Sequence, residues 1–535
     1  MAQGHITPFL ALAGLLSSRH PNLAVTLVNT PYNIQTLTKS RAGAAIPSSI
    51  RLRSLPFSPE EHGLPPTADN TAELPFFQIV TLFEASKSLR SAFEQIISDI
   101  SEQDGRPPRY IVSDIFLTWT IDTARRFGSF HSIFVTGSAY GTVVFSSMWK
   151  HLPHRRADCG DLFPLPDFPD VLIHRSQIPK HQLLADDASP WTVFFREQIS
   201  RFSETDALLI NTVEEVERTG LQMMRQMLPC SIWPIGPLLS SVFPSISSGG
   251  GEQIIQWLDS QPPASVLYIS FGSQNTITAS QMMELATGLE ASGVRFVWVI
   301  RPPVGSDVKS EFKAEWLPEK FEERMQEQGR SLLVHGWAPQ MEILSHPATG
   351  AFLSHCGWNS VLESLNRGVP MLAWPLTADQ FFNANMLEKE LGVCVEVGRG
   401  NMENSMADRV AVERMVKEVM CGGEIGGEMR RRVEEVRELM KAAWMEGLGS
   451  SLRAKDRALV LSLAVAPLHS ADAATLVPSA LDQSTMRKHR TAVGFLVIRV
   501  VWRVSSSSYF VQQGGWALWR VLVLTAIPFS IPSCG

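Results

Sequence analysis

The stretch "FLSHCGWNSVLESLNRGVPMLAWPLTADQ", residues 352–380, decides the fold. The apolar run "GAFLS" that leads into it reads as a buried strand. "HCGW" is a tight turn with Gly357 at its bend. Asn359 and Ser360 open a helix, "SVLESLN", which Gly368 ends as a C-cap. "VPMLAWP" is the next strand. A strand, a helix and a strand in so short a span form one unit of a parallel sheet covered by helices.

The turn of such a unit has its own chemistry. Free backbone N–H groups and the positive end of the helix dipole make an anion site there. His355, Asn359 and Ser360 add side-chain donors at the same point, and a diphosphate suits it. Glu363 lies one turn into the helix, where its carboxylate can accept two ribose hydroxyls. Asp379 and Gln380 follow the second strand and offer acceptors and donors to the hydroxyls of a sugar. One unit would then grip all three parts of a nucleotide sugar. The same residues have plainer readings. Ser360-x-x-Glu363 is also a capping box, in which Glu363 serves only the helix, and spacing by itself favours that reading. A lone His in a turn, such as His355, is more often structural than functional.

The β–α rhythm runs through the flanking sequence. "SVLYISFGS", "RFVWVI", "SLLVHGWAPQ" and "GVCVEV" read as strands, and "ASQMMELATGLEAS" as a helix. Nearer the N-terminus, "NLAVTLVNT" (22–30), "IRLRSLPF" (50–57), "RYIVSD" (109–114), "HSIFVT", "ALLINT" and "IWPIGPL" read as strands. "FFQIVTLFEASKSLRSAFEQIISDI" reads as one long helix, and "TWTIDTARRFG" as a helix ending at Gly128. Between the two series, "SSVFPSISSGGGEQ" has the Ser, Gly and Pro content of a flexible linker. The expected fold is α/β, with two facing Rossmann-like domains built on parallel sheets. They occupy residues 1–238 and 253–466, joined by a linker at 239–252. Ligands in such sheets bind at the carboxyl ends of the strands. Residues 152–187, rich in Pro, His and Asp, break the rhythm and read as a long excursion over the surface.

The two ends need separate readings. "ITPFLALAGLL" has the apolar core of a signal peptide, but no Lys or Arg precedes Arg19. Thr7 and Pro8 read instead as an N-cap and a first helical residue, with Phe9, Leu12, Ala13 and Leu16 on one face. Residues 467–535 fit neither domain pattern. Their apolar runs are interrupted by Arg499, Arg503 and Arg520, short of the roughly 20 apolar residues of a bilayer span. An appended, poorly packed segment is expected over a membrane span.

Bulk properties narrow the function. A chain of 535 residues with 44% hydrophobic content supports two or more cores. A formal charge of −6 offers no basic stripe for nucleic acid. Six scattered cysteines without a C-x-x-C pair argue against a zinc site or a disulfide framework. They fit a reducing, cytoplasmic compartment. A monomer is expected.

Residues 337–380, from "WAPQMEILSHPATGAFLSHCGWNS" to "GVPMLAWPLTADQ", resemble the signature box of plant family-one UDP-sugar glycosyltransferases. The likeness continues less strongly from residue 1 to about residue 464, through "IQWLDSQPPASVLYISFGSQNT" and "FFNANMLEKELGVCVEV", and leaves out the tail. It implies the GT-B fold, with the donor in the C-terminal domain and the acceptor mainly in the N-terminal one. It implies that Trp337 stacks on the uracil beside Ala338, and that Gln340 and Glu363 bind the ribose. His355, Gly357, Asn359 and Ser360 would hold the diphosphate, with Ser273 nearby. Trp358, Asp379 and Gln380 would contact the sugar, and Gln380 at the end of the box implies glucose. Thr136, ending "HSIFVT", is a weaker sugar contact. His5 in "AQGHITPF" matches the family's catalytic base, and Asp114 in "IVSDIF" its partner. The implied donor is UDP-glucose, with no other cofactor and no metal. No paired Asp-x-Asp metal site is found. The implied reaction is an inverting transfer of glucose to a hydroxyl of a small lipophilic molecule, giving a β-glucoside.

One departure qualifies this. The family carries a hydrophobic strand before the "GH" turn, and here His5 follows Met1 by four residues. Loss of a central strand would leave its two neighbours without ladder partners. The sequence then reads as an incomplete gene model or, alternatively, as a weak or inactive relative that binds UDP-sugar. A nicotinamide-dependent oxidoreductase would need G-x-G-x-x-G after a strand. "SSGGGEQ" sits in the linker and "CGGEIGGEM" between helical stretches, so neither qualifies.

Overall fold

The computed structural model describes residues 3–445 apart from 21, 40–45, 67, 72–73, 157–158, 240–248, 307–309 and 401–406. Most of the linker and the whole atypical tail therefore lie outside the described residues.

The C-terminal half is built on six parallel strands. They are β9 (Val266–Ser270), β10 (Arg295–Ile300), β11 (Ser331–His335), β12 (Thr349–Ser354), β13 (Met371–Ala373) and β14 (Cys394–Glu396). Their order is β11-β10-β9-β12-β13-β14. The chain runs one way from β9 and the other way from β12, so the switch point of the sheet lies between them. A crevice opens there, at the carboxyl ends of the two strands. β9 and β12 are buried at every residue, as strands covered by helices on both faces must be. Their last residues, Ser270 and Ser354, stand side by side.

The N-terminal strands do not form one sheet. β1 (Val25–Asn29) pairs with β2 (Ile50–Ser54) alone. A separate parallel sheet has the order β3-β4-β7-β8, from β3 (Tyr110–Asp114), β4 (Phe130–Val135), β7 (Ala207–Ile210) and β8 (Ser231–Pro234). Among the described residues no strand lies between β1 and β3, and four of the five β1 residues are only half-buried. Helix α1 (Gln3–Arg19) covers both pieces. Phe9, Ala11 and Leu12 pack with Phe134 of β4 and Leu209 of β7, while Ile6 and Leu10 pack near Leu27 of β1.

Four sequence expectations need correction. The first helix does not start at Thr7: it is already formed at Gln3, with Pro8 inside it, and it buries two faces instead of one. Residues 152–187 are not simply a surface excursion. They contain the antiparallel pair β5 (Leu162–Leu165) and β6 (Phe168–His174), and Phe163, Leu165 and Ile173 enter the main core. Alternate residues of a strand point to opposite faces, which lets a polar-looking segment bury half of itself. The long helix is two helices, Phe76–Ala85 and Arg90–Asp104, joined by a 3-10 turn. A helix begins at Gly249, inside the stretch read as linker. The glycine stops are as expected, with Gly128 and Gly368 left-handed at φ 66° and 69°.

No described helix is long and apolar enough to cross a membrane.

Candidate active site

A cleft of about 2650 Å³ runs between the two halves, and both line it. On the C-terminal side, helix α3 (Trp358–Arg367) starts directly after the turn that ends β12; helix α2 (Ala139–His151), in the other half, packs against residues 380–386. Gly357 is the N-cap of α3, and no side chain caps the first turn. Its leading N–H groups are thus left for another acceptor. His355 sits in this turn, pressed between two glycines. A Cβ on Gly272 would lie 2.7 Å from the ring, and one on Gly357 would clash as well. Burial holds the His355 pKa down to about 4, so the imidazole is neutral. Its Nδ1 is buried with no hydrogen-bond partner among the described residues. A buried polar atom of this kind calls for a partner.

The capping-box reading of Ser360 and Glu363 fails. The helix starts at Trp358, so Ser360 is already its third residue and cannot cap it. Glu363 Oε2 instead accepts from Gln340 Nε2 at 2.7 Å, and the same nitrogen reaches Ser360 Oγ at 3.1 Å. Tyr268 of β9 donates to Gln340 Oε1 at 3.3 Å. This closed polar corner opens on the cleft beside Trp337, whose indole is 65% exposed above the buried Ala338. Ser273 lies on the facing loop, held by Arg301, which donates to the carbonyls of Gly272 and Ser273.

Asp379 and Gln380 close the far end. Gln380 Oε1 accepts from the N–H groups of Leu376 and Thr377, each at 3.0 Å, which commits its carbonyl and leaves its NH₂ to donate. Burial raises the Asp379 pKa, against the opposing pull of an Asn383 hydrogen bond and the nearby His5. Trp358 lines the cleft, but its indole N–H crosses to the carbonyl of Asn211 at 2.7 Å.

From the N-terminal side come His5, Asp114 and Thr136. His5 Nδ1 donates to Asp114 Oδ2 at 2.6 Å. The Asp114 side chain is fully buried, while that of His5 is 24% exposed. Asp114 Oδ1 accepts from Phe116 N at 3.0 Å, which fixes the carboxylate. Burial lowers the His5 pKa, but the charge and hydrogen bond of Asp114 outweigh it, with help from Asp379. The net result is a pKa above 6.5. The His5 ring stacks on Phe116, and Phe116 on Phe83. Pro8 has no N–H to give to Gly4, one turn back. Asn359 Nδ2 donates to that freed carbonyl at 2.7 Å, tying the helix that carries His5 to the start of α3.

Residues 221–422 match the family model described as "UDP-glucoronosyl and UDP-glucosyl transferase". UDP-glycosyltransferase 92A1 of Arabidopsis thaliana is 42% identical over 461 residues, which cover 84% of this chain and 93% of that protein. The chain belongs to the plant family-one UDP-glycosyltransferases. Crocetin glucosyltransferase 3 of Crocus sativus is also 42% identical, over 78% of this chain and 88% of its own. The crystal structure of a UGT transferase from Siraitia grosvenorii in complex with UDP superposes with a TM-score of 0.68 at 30% identity, covering 86% of this chain and 97% of that one. The fold of this UDP-glycosyltransferase is therefore GT-B.

The transferase brings every residue picked out in the sequence to the lining of one cleft except Asp114, which lies buried behind His5. Others had no such mark. Tyr268 was within reach of sequence reasoning, since a tyrosine in a fully buried strand needs a partner for its hydroxyl. Ser138, Asn211 and Asn383 carry no local signal, because their partners lie far away in the chain.

Proposed function

We propose that this transferase moves glucose from UDP-glucose to a hydroxyl of a small lipophilic acceptor, with inversion to a β-glucoside. The observation that carries this reading is the His5–Asp114 pair at 2.6 Å, opening on the same cleft as the bare start of α3. With Nδ1 committed to Asp114, Nε2 of a neutral His5 takes the acceptor proton as the acceptor oxygen bonds to the anomeric carbon. The bond from that carbon to the diphosphate oxygen breaks, and UDP leaves with the electron pair. The start of α3, with His355, Gly357, Asn359, Ser360 and Ser273 around it, meets the growing charge. Trp337 and Ala338 take the uracil, and Gln340 and Glu363 the ribose. Asp379 and Gln380 hold the sugar hydroxyls, with Trp358 and Thr136 beside them. Residues 1–238 would serve the acceptor and residues 253–466 the donor. No step calls on a metal.

A second reading, binding of UDP-sugar without turnover, is favoured by the split N-terminal sheet, which deprives α1 of a continuous support. One experiment separates the two. The protein is titrated with UDP in a calorimeter, then incubated with UDP-glucose and a panel of lipophilic alcohols and phenols, with products read by mass and by anomeric coupling constant. A hexose added in β-linkage supports transfer. Binding without product supports the second reading, and no binding of any uridine nucleotide rejects both.

A further inference from the structure

We propose that Asn383 is a positioning residue: its amide relays the seating of the acceptor half, through Ser138, to the carboxylate of Asp379 on the sugar side of the cleft. This rests on the reading of the cleft as a UDP-glucose site.

Ser138 is the N-cap of α2, and its Oγ accepts from Gly141 N at 2.8 Å. Its single proton is therefore given elsewhere, to Asn383 Oδ1 at 2.5 Å. Asn383 lies on helix α4 (Gln380–Met386), in the other half of the molecule. With its carbonyl engaged, its NH₂ faces the Cys356 carbonyl at 3.0 Å and Asp379 Oδ2 at 3.2 Å. The flipped amide would set oxygen against two acceptors, so only one orientation satisfies the network. Ser138 and Asn383 are both fully buried. Groups in that setting are strongly coupled, and leaving one unmade is costly.

Two glycines permit the approach. A Cβ on Gly141 would lie 2.5 Å from Asn383 Oδ1, and one on Gly137 would lie 3.1 Å from Asp379 Oδ2. The start of α2 is itself anchored, since Glu217 accepts from the N–H groups of Ala139 and Tyr140 at 3.0 Å each. The relay thus runs from an anchored helix start beside Thr136 to the sugar-side carboxylate, and it touches the turn that holds His355. None of these contacts reaches the ribose corner of Gln340 and Glu363. The sugar should feel the relay more than the nucleotide, which shares with it only the Cys356 carbonyl.

The test uses the full chain and two ligands, UDP and UDP-glucose, with affinities measured by calorimetry. Asn383→Asp keeps the shape and the acceptor for Ser138 but turns the NH₂ into an oxygen facing Asp379. Ser138→Ala removes the donor, and Ser138→Thr restores a hydroxyl. Hydrogen bonds to charged groups correspond to about a ten- to hundredfold effect. Asn383→Asp should shift the ratio of the two affinities against UDP-glucose by about tenfold or more, with the smaller loss in UDP affinity. Ser138→Ala should move the ratio the same way and Ser138→Thr should return it. A folded Asn383→Asp, judged by its melting curve, with an unchanged ratio overturns the relay. So does an equal loss of both ligands, which is what a purely structural role predicts. Should Asn383→Asp fail to fold, the Ala and Thr variants of Ser138 decide by the same ratio. Absence of UDP binding by the unaltered protein would sink the donor reading itself, and the relay with it.

Discussion

The six C-terminal strands form one sheet, whereas the N-terminal strands stand as two pairs and a group of four. β12 is buried along its whole length, and β1 is only half-buried over most of its own. The contrast concerns where each part of the site gets its geometry. The side proposed for uridine and diphosphate rests on one continuous sheet, with its residues at strand ends and at the helix start that follows. The base side rests on α1, which spans two separate pieces and is tied to the other half through the Gly4 carbonyl. The C-terminal half is thus preorganised by its own core, while the N-terminal half borrows part of its order from the interface.

The contrast is broken most directly at His5. His5→Ala should lower turnover by about a thousandfold, within the range for loss of a general base, while calorimetry finds UDP affinity within about twofold. Unchanged turnover would remove His5 as the base. Stability should show the next largest asymmetry. Leu353→Ala, in the core of β12, should cost about 3 kcal/mol in urea unfolding. Leu27→Ala, in β1, should cost about 1 kcal/mol or less because the site is only half-buried. Equal costs would mean that the two sheets are equally consolidated. Glu363→Ala should weaken UDP by about tenfold or more, the size of a lost charged hydrogen bond. UDP affinity unmoved in that variant would return Glu363 to a structural role.

The mildest test is pH. A base must be neutral to work, and the His5 pKa is raised above 6.5. The acid limb of kcat/KM should therefore bend above pH 6.5, falling about tenfold per unit below the bend. Asp114→Asn should move that bend to lower pH, since the charge that raises the pKa is gone. For stability the sign is the reverse. The raised pKa contributes stability fully below the unfolded value near 6.5, and that contribution is lost as pH rises through the folded pKa. A bend that stays put in Asp114→Asn would uncouple the two residues.

Much of this was legible locally. Apolar runs between turn residues marked the strands, and Gly128 and Gly368 marked helix ends, because both signals act within a few residues. The errors have physical causes. Thr7-Pro8 looked like a helix start, yet Pro8 is tolerated inside α1 because the Gly4 carbonyl it leaves free finds Asn359. Ser360-x-x-Glu363 looked like a capping box, yet the helix begins earlier and Gln340 claims the carboxylate. Leu165 and Ile173 turn inward while Leu162 and Leu172 of the same hairpin stay exposed, a choice of face that apolar character by itself does not reveal.

By itself the sequence determined the two runs of strand and helix, the signature box and the family it belongs to, since each is written in residues close together along the chain. The resemblance named Asp114 as the partner of His5, 109 residues away, but only the tertiary structure decided that they touch, and that Ser138 meets Asn383, 245 residues apart. Such contacts depend on how two sheets and their helices pack, and hydrogen bonds acting over about 3 Å leave no periodic trace in the order of residues.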